Sequence, residues 1–150
     1  VVASTNFDTD MAKRIEALQT LETKLSAYNK PAFLIGYFNE GDLESEFFQM
    51  VKSNWNLLSA DKSTEVSGKK RRLDFIVSLK SHNVNVTQAD VIENLSGVDV
   101  TIASTHYPLF CDFSGLKEKR YREAAQSYAH IVCRTVQLHY IAYQTSNGVV

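Results

Sequence analysis

One short stretch, residues 31–40, restricts the possible folds more than any other part of the sequence. An apolar run after Pro31 ends at Gly36, and the polar Asn39 follows just beyond it. This pattern is typical of a buried, parallel-type strand that delivers a side chain to a site at its carboxyl end. We therefore expect a strand over residues 32–37, with functional groups directly after it.

The residues before this stretch predict a complete βαβ unit. Residues 1–5 are short, apolar and β-branched, which indicates a strand. Residues 11–28 carry apolar side chains at helical spacing, and the chain must leave the helix before Pro31. The candidates for the helix cap are Asp8, Thr9 and Asp10. Strand, helix and strand in this order predict an α/β fold.

The rest of the chain predicts further helices and strands. The sequence indicates a second helix opened by residues 41–44, with Asp42 as its cap, and strands over 72–79 and 98–104. It also indicates a loop over 64–70, an extended segment over 84–92, a further apolar run over 107–113, a helix over 116–132 and a strand over 137–143. We therefore predict an α/β sandwich of mixed β-sheets flanked by helices.

Composition excludes several classes of protein. The 150 residues fit one domain, and 16 basic against 17 acidic residues give a net charge of -1, which is not the strong basic field of a dedicated nucleic-acid binder. We see no apolar run of the ~20 residues that a membrane span needs and no signal peptide, and we assign no location. Cys111 and Cys133 lie in apolar contexts, which favours buried thiols over a disulfide.

His106 and Asp74 are the best candidates for chemistry. His106 follows the predicted strand 98–104, where a parallel sheet places its functional loops. Asp74 lies inside an apolar strand, where a carboxylate is costly unless another group pairs with it. A nearby histidine would be a fitting partner, because the carboxylate would fix the tautomer of the imidazole. The alternatives are a structural histidine and an aspartate on an exposed edge.

One dense run of positive charge, residues 69–72, precedes the strand that holds Asp74. The simpler interpretation is a solvated loop before a strand. The functional interpretation is a contact of Lys70 and Arg71 with phosphate oxygens. The sequence shows no zinc-ligand spacing and no phosphate-binding glycine loop.

Four motifs in a fixed order resemble the endonuclease/exonuclease/phosphatase superfamily, the deoxyribonuclease I-like enzymes. The motifs are residues 3–8 with Arg14, residues 34–40, residues 72–76 and residues 104–109. Residues 1–110 resemble the carboxyl-terminal half of the family fold, and 111–150 resemble its amino-terminal unit, out of order. The resemblance implies one domain over residues 1–150 that is shortened, and either permuted or a piece of a longer domain.

The resemblance implies Mg²⁺-dependent hydrolysis of phosphate esters, but several positions depart from the family pattern. Tyr37, Thr105 and Thr145 stand where the family has acids that bind the metal or activate water, so we assign no metal ligand. Asn6 replaces a histidine, and Asp112 replaces an asparagine. The candidate catalytic residues that match are Asn39, Asp74 and His106, and the candidate substrate-binding residues are Asn6, Lys70 and Arg71.

Three functional hypotheses follow from this partial match. The first is a catalytically impaired relative of metal-dependent phosphodiesterases and phosphatases, acting on a phosphate ester or nucleic acid. The second is a non-catalytic binding module or an engineered scaffold of this fold. The third is a homo-oligomer, because a shortened fold leaves a sheet face or edge for another copy to cover.

Overall fold

The computed structural model describes residues 1–94, 97 and 99–114. Several features of the sequence lie outside these residues: the predicted helix over 116–132, the predicted strand over 137–143, Cys133 and Thr145. So does nearly all of the segment 111–150 that resembles the amino-terminal unit. The single domain over 1–150 and its permutation therefore stay predictions.

The first three elements form the predicted βαβ unit. β1 (Val2–Asn6) and β2 (Phe33–Tyr37) are parallel neighbours, and α1 (Met11–Ser26) connects them. The side chain of Asp10 accepts a hydrogen bond from the backbone N–H of Lys13, so one of the three predicted caps is the observed one.

Two sheets face each other, with helices on the outer face of the larger one. The four-stranded sheet has the order β1-β2-β4-β3, where β4 (Asp74–Leu79) runs antiparallel to both β2 and β3 (Trp55–Leu57). α1 and α2 (Glu46–Asn54) pack against one face of this sheet through a large apolar cluster. β5 (Asn85–Val91) and β6 (Leu109–Ser114) form a second, antiparallel sheet.

The second sheet covers the opposite face of the four-stranded sheet. The rings of Phe33 and Phe113 stack with their centroids 4.7 Å apart, and Leu58 and Cys111 belong to the same buried cluster. Burial raises the pKa of the Cys111 thiol to about 11. This arrangement confirms the predicted α/β sandwich of mixed sheets. No helix among the described residues is long and apolar enough to cross a membrane.

Two predicted elements are wrong. Asp42 does not cap α2; its carboxylate accepts the N–H of Glu44 and its carbonyl accepts the N–H of Ser45, so it closes a turn. Ser45 is the cap instead. The predicted strand over 98–104 contains the short helix α3 (Val100–Ala103), because the carboxylate of Asp99 accepts hydrogen bonds from the backbone and hydroxyl of Thr101.

Candidate phosphate site

Three polar side chains lie in one row across the end of the four-stranded sheet. Tyr37, at the end of β2, is in register with Asn6 of β1 on one side and with Asp74 of β4 on the other. Residues in register on neighbouring strands point to the same face of a sheet. The row therefore lies on the face that carries the second sheet, at the carboxyl ends of β1 and β2.

His106 joins this row through Asp74. Its Nδ1 lies 2.6 Å from Oδ2 of Asp74, and the two side chains are 26% and 16% exposed. A carboxylate accepts, so Nδ1 is the donor, and within the described part of the chain Nε2 forms no hydrogen bond. The structure thus brings together the two residues that the sequence suggested, and Asp74 lies on an inner strand rather than on an exposed edge.

Tyr37 supports the imidazole from the side. The rings of Tyr37 and His106 meet edge to face, with centroids 4.9 Å apart and an angle of 83° between planes. Such a contact restricts rotation of the imidazole about its side-chain bonds. Tyr37 therefore borders the imidazole on one side, at a position where the resemblance implies an acid.

The backbone before His106 has a different secondary structure from the predicted one. His106 follows the helix α3 rather than a strand, and its N–H donates to Oγ of Ser104 over 3.0 Å. Residue 106 also forms an isolated antiparallel bridge with Glu65. The loop over 64–70 thus fixes part of the backbone around His106.

Asn39 lies two residues beyond β2 with its backbone in the left-handed region, at φ 55°. Its Nδ2 donates to the carbonyl of Phe7 over 3.3 Å, which joins the two loops that follow β1 and β2. Asparagine tolerates this conformation better than most residues. Asn39 lines a cavity together with Lys70 and Arg71.

Arg14 forms hydrogen bonds with both of these loops. The guanidinium donates to the carbonyls of Asp8, Thr9 and Asn39 and to the carboxylate of Glu40, 3.1 Å away. Arg14 is buried, with 5% of its surface exposed. A buried guanidinium that satisfies three carbonyls and a carboxylate is a structural anchor.

Lys70 and Arg71 line one open cavity of about 510 Å³ together with Asn39. Lys70 is exposed, at φ 49°. Arg71 makes a bidentate contact with Glu65, with N–O distances of 2.8 and 2.7 Å. This contact holds the pKa of Glu65 down at about 2, and Tyr37 also lies close enough to Arg71 to interact with it electrostatically.

The depressed pKa of Glu65 predicts a pH-dependent contribution to stability. The contribution should be fully present above the ordinary value of 4.5 and should fade as the pH falls towards about 2. We expect Glu65→Gln to lower the free energy of unfolding at pH 7, and the difference from the wild type to shrink below pH ~4.5. Urea unfolding between pH 7 and pH 3 measures this difference.

The matched control is Glu44→Gln, because the Glu44 carboxylate is 78% exposed and pairs with Lys52. This control should cost less stability at pH 7 than Glu65→Gln. A Glu65→Gln difference that stays constant down to pH 3 would contradict the depressed pKa.

We assign no magnesium ligand among the residues that the structure describes. Within residues 1–94, 97 and 99–114, no three acidic, histidine or cysteine side chains gather in a way that could hold a metal ion. The one carboxylate in the row, Asp74, is already in contact with His106. Proteins hold Mg²⁺ through one or two carboxylates that are open to it.

Two side chains support the site although the sequence assigned them no role: Arg14, named only as part of a motif, and Thr64. Arg14 falls between Met11 and Leu18 at helical spacing, so its position on the apolar stripe of α1 was a visible signal of burial. Thr64 is 1% exposed and contacts the backbone beside Asp74, but a threonine in a polar loop gives no such signal.

Solved structures provide the comparison, since no protein-family profile and no curated protein sequence matches the chain. An endonuclease/exonuclease/phosphatase of Bacteroides vulgatus superposes with a TM-score of 0.61 at 19% identity, over 75% of this chain and 49% of its own. A mannosyl-6-phosphatase of Bacteroides thetaiotaomicron gives 0.59 at 18%, over 75% and 50%.

The catalytic domain of human Nocturnin, solved with a bound sulfate anion, gives a TM-score of 0.54 at 26% identity, over 75% of this chain and 46% of its own. The chain thus spans about half the length of these structures. The likeness confirms, at the level of the fold, the resemblance of the sequence motifs: the chain has the fold seen in structures of the endonuclease/exonuclease/phosphatase superfamily.

Proposed function

We propose that this protein binds a phosphate ester at the sheet edge formed by Tyr37, Asp74 and His106, and that it hydrolyses the ester weakly or not at all. The contact of 2.6 Å between Nδ1 of His106 and Asp74 carries the proposal. It fixes the imidazole so that Nε2 is the atom available to an incoming oxyanion.

The charges around the pair favour a phosphate. An imidazole with a proton on each nitrogen donates from Nδ1 to Asp74 and from Nε2 to a phosphate oxygen, the latter a charge-assisted hydrogen bond. The neighbouring cavity is lined by Asn39 and by both charges, Glu40 and Asp42 against Lys70, Arg71 and Arg72. Arg71 is already paired with Glu65, so we assign the contact with phosphate there mainly to Lys70 and the Asn39 amide. Asn6 lies at the other end of the row, and we assign it to contact with the ester group. The fold shared with a mannosyl-6-phosphatase and with a sulfate-bound catalytic domain supports the same class of ligand.

Weak hydrolysis follows from the residues that replace the family's acids. Neither the phenol of Tyr37 nor the hydroxyl of Thr105 supplies a carboxylate for a metal ion or for activating water. Tyr37 packs against His106 instead. We therefore assign His106, Asp74 and Asn39 to phosphate binding, with His106 as the group that contacts the ligand.

Binding of inorganic phosphate and of a small phosphodiester, measured by calorimetry, tests the proposal. We expect His106→Ala to weaken binding about tenfold or more, the usual loss for a hydrogen bond to a charged group. The control is His82→Ala, because His82 contacts Ser81 away from the site and should leave the affinity unchanged. Equal affinities of His106→Ala and the wild type would overturn the proposed site.

A second candidate function is a metal-dependent phosphodiesterase, favoured by the order of the motifs and by the Asp74–His106 pair. It predicts turnover of a generic phosphodiester or of plasmid DNA with Mg²⁺ or Mn²⁺, and turnover lost in His106→Ala. It also predicts a thermal shift at millimolar Mg²⁺, since a ligand that binds the native state stabilises it. We expect neither result. A clear thermal shift with Mg²⁺ together with His106-dependent turnover would show that the function is hydrolysis rather than binding alone.

A further inference from the structure

We propose that Thr64 is a positioning residue that sets the contact between Asp74 and His106. Nothing in the motifs or in the comparisons gives this residue a role. The positioning role is argued from hydrogen bonds alone, whereas the expected effect on phosphate affinity rests on the proposed function. Thr64 acts through the backbone of its neighbours and does not contact the ligand.

The hydroxyl of Thr64 fixes the start of β4. Its Oγ1 accepts hydrogen bonds from the backbone N–H of Leu73 over 3.0 Å and from that of Asp74 over 3.1 Å. A hydroxyl oxygen has two acceptor positions, and both are used here. Thr64 is 1% exposed and Leu73 is 3% exposed, so water has little room to replace this acceptor.

The backbone of the same residue fixes the segment that carries His106. The carbonyl of Thr64 accepts the N–H of Tyr107 over 2.7 Å. The next residue, Glu65, forms the bridge with His106, and the N–H of Val66 donates to the carbonyl of Thr105 over 3.0 Å. Residues 64, 65 and 66 therefore pair in turn with residues 107, 106 and 105, on both sides of the histidine.

Thr64 is thus hydrogen-bonded to Asp74 through its side chain and, through its carbonyl, to Tyr107, the residue after His106. Asp74 and His106 are far apart in the chain, and their side chains must meet within 2.6 Å. Without the hydroxyl, the N–H groups of Leu73 and Asp74 would lose their acceptor, and the start of β4 would shift to find another. The Asp74 carboxylate would move with it.

The test compares Thr64→Val, which removes the hydroxyl at nearly constant shape, with Thr64→Ser, which keeps it. The readout is the signal of the imidazole Nδ1 proton of His106 in the proton NMR spectrum of nitrogen-15-labelled protein. The low-field chemical shift of this signal reports the hydrogen bond to Asp74. We expect this signal to be retained in Thr64→Ser and to shift upfield or broaden in Thr64→Val. Phosphate affinity should fall about tenfold in Thr64→Val only.

Ser78→Ala is the matched control, because Ser78 is a buried hydroxyl on the same strand that forms no hydrogen bond within the described residues. It should leave the His106 signal in place even if stability falls. An unchanged signal in folded Thr64→Val, or its loss in Thr64→Ser, would overturn the proposal. If the wild type shows the signal but binds no phosphate, the proposed function fails and the role of Thr64 is still decided.

Amide hydrogen exchange in the wild type gives an independent test if Thr64→Val does not fold. The N–H groups of Leu73 and Asp74 should exchange slowly, at rates like those of the sheet interior. Exchange as fast as in the exposed loop around Gly68 would show that the Thr64 hydroxyl does not hold them, and would overturn the proposal.

Discussion

We expect Gly36→Ala to lower the free energy of unfolding by about 3 kcal/mol or more, the combined effect of backbone strain and overpacking. Gly36 has φ 137°, which side chains of L-residues rarely adopt. A Cβ atom at this position would also clash with the carbonyl oxygen of Thr5, its partner in register on β1. β1 and β2 could accept alanine only by separating.

Gly68→Ala is the matched control for this substitution. A Cβ atom at residue 68 would meet nothing within 4 Å, and its backbone does not need glycine. The change should be neutral or stabilise by up to about 1 kcal/mol, because alanine restricts the unfolded chain. Urea unfolding of both variants gives the comparison. Equal stabilities of the two variants would contradict the close approach of β1 and β2.

The effect of Gly36→Ala should extend to the site. Tyr37 is the next residue, and its register with Asn6 and Asp74 depends on the same strand pairing. A displaced Tyr37 would no longer pack against His106. Any Gly36→Ala protein that folds should therefore bind phosphate more weakly than the wild type, whereas Gly68→Ala should not.

Local patterns explain why the βαβ unit could be predicted from the sequence. The apolar spacing in α1 and the apolar run that ends at Gly36 depend on residues close together in the chain, so β1, α1 and β2 agree with the prediction. The segment around Val100 shows the limit of this reasoning. Its apolar, β-branched residues suggested a strand, but the cap supplied by Asp99 favours a helical turn.

The site was predictable where the chemistry is unusual and not where it is ordinary. An aspartate in an apolar strand demands a partner, and this led to the pair of Asp74 and His106. Thr64 could not be found in this way, because a threonine in a loop is unremarkable until the fold brings it against β4. The meeting of Tyr37 with His106 likewise depends on contacts between distant segments.

We expect Arg14→Met to lower the free energy of unfolding by about 3 to 5 kcal/mol, as for other buried ion pairs that lose one partner. The side chains of Arg14 and Glu40 are only 6% and 16% exposed. Methionine fills much of the same volume but leaves the Glu40 carboxylate without its cation. It also leaves the carbonyl of Asn39 without its donor, so phosphate affinity should fall as well.

Two further variants separate the buried charge from the packing. Lys13→Met changes the preceding residue of α1, whose side chain is 68% exposed in a contact of 3.6 Å with Asp8, and should alter stability by no more than about 0.5 kcal/mol. Adding Glu40→Gln to Arg14→Met should restore part of the lost stability, because a neutral amide tolerates burial better than an unpaired carboxylate. Urea unfolding measures all three. If Arg14→Met costs no more than Lys13→Met, the guanidinium does not anchor the two loops, and the position of Asn39 must depend on other contacts.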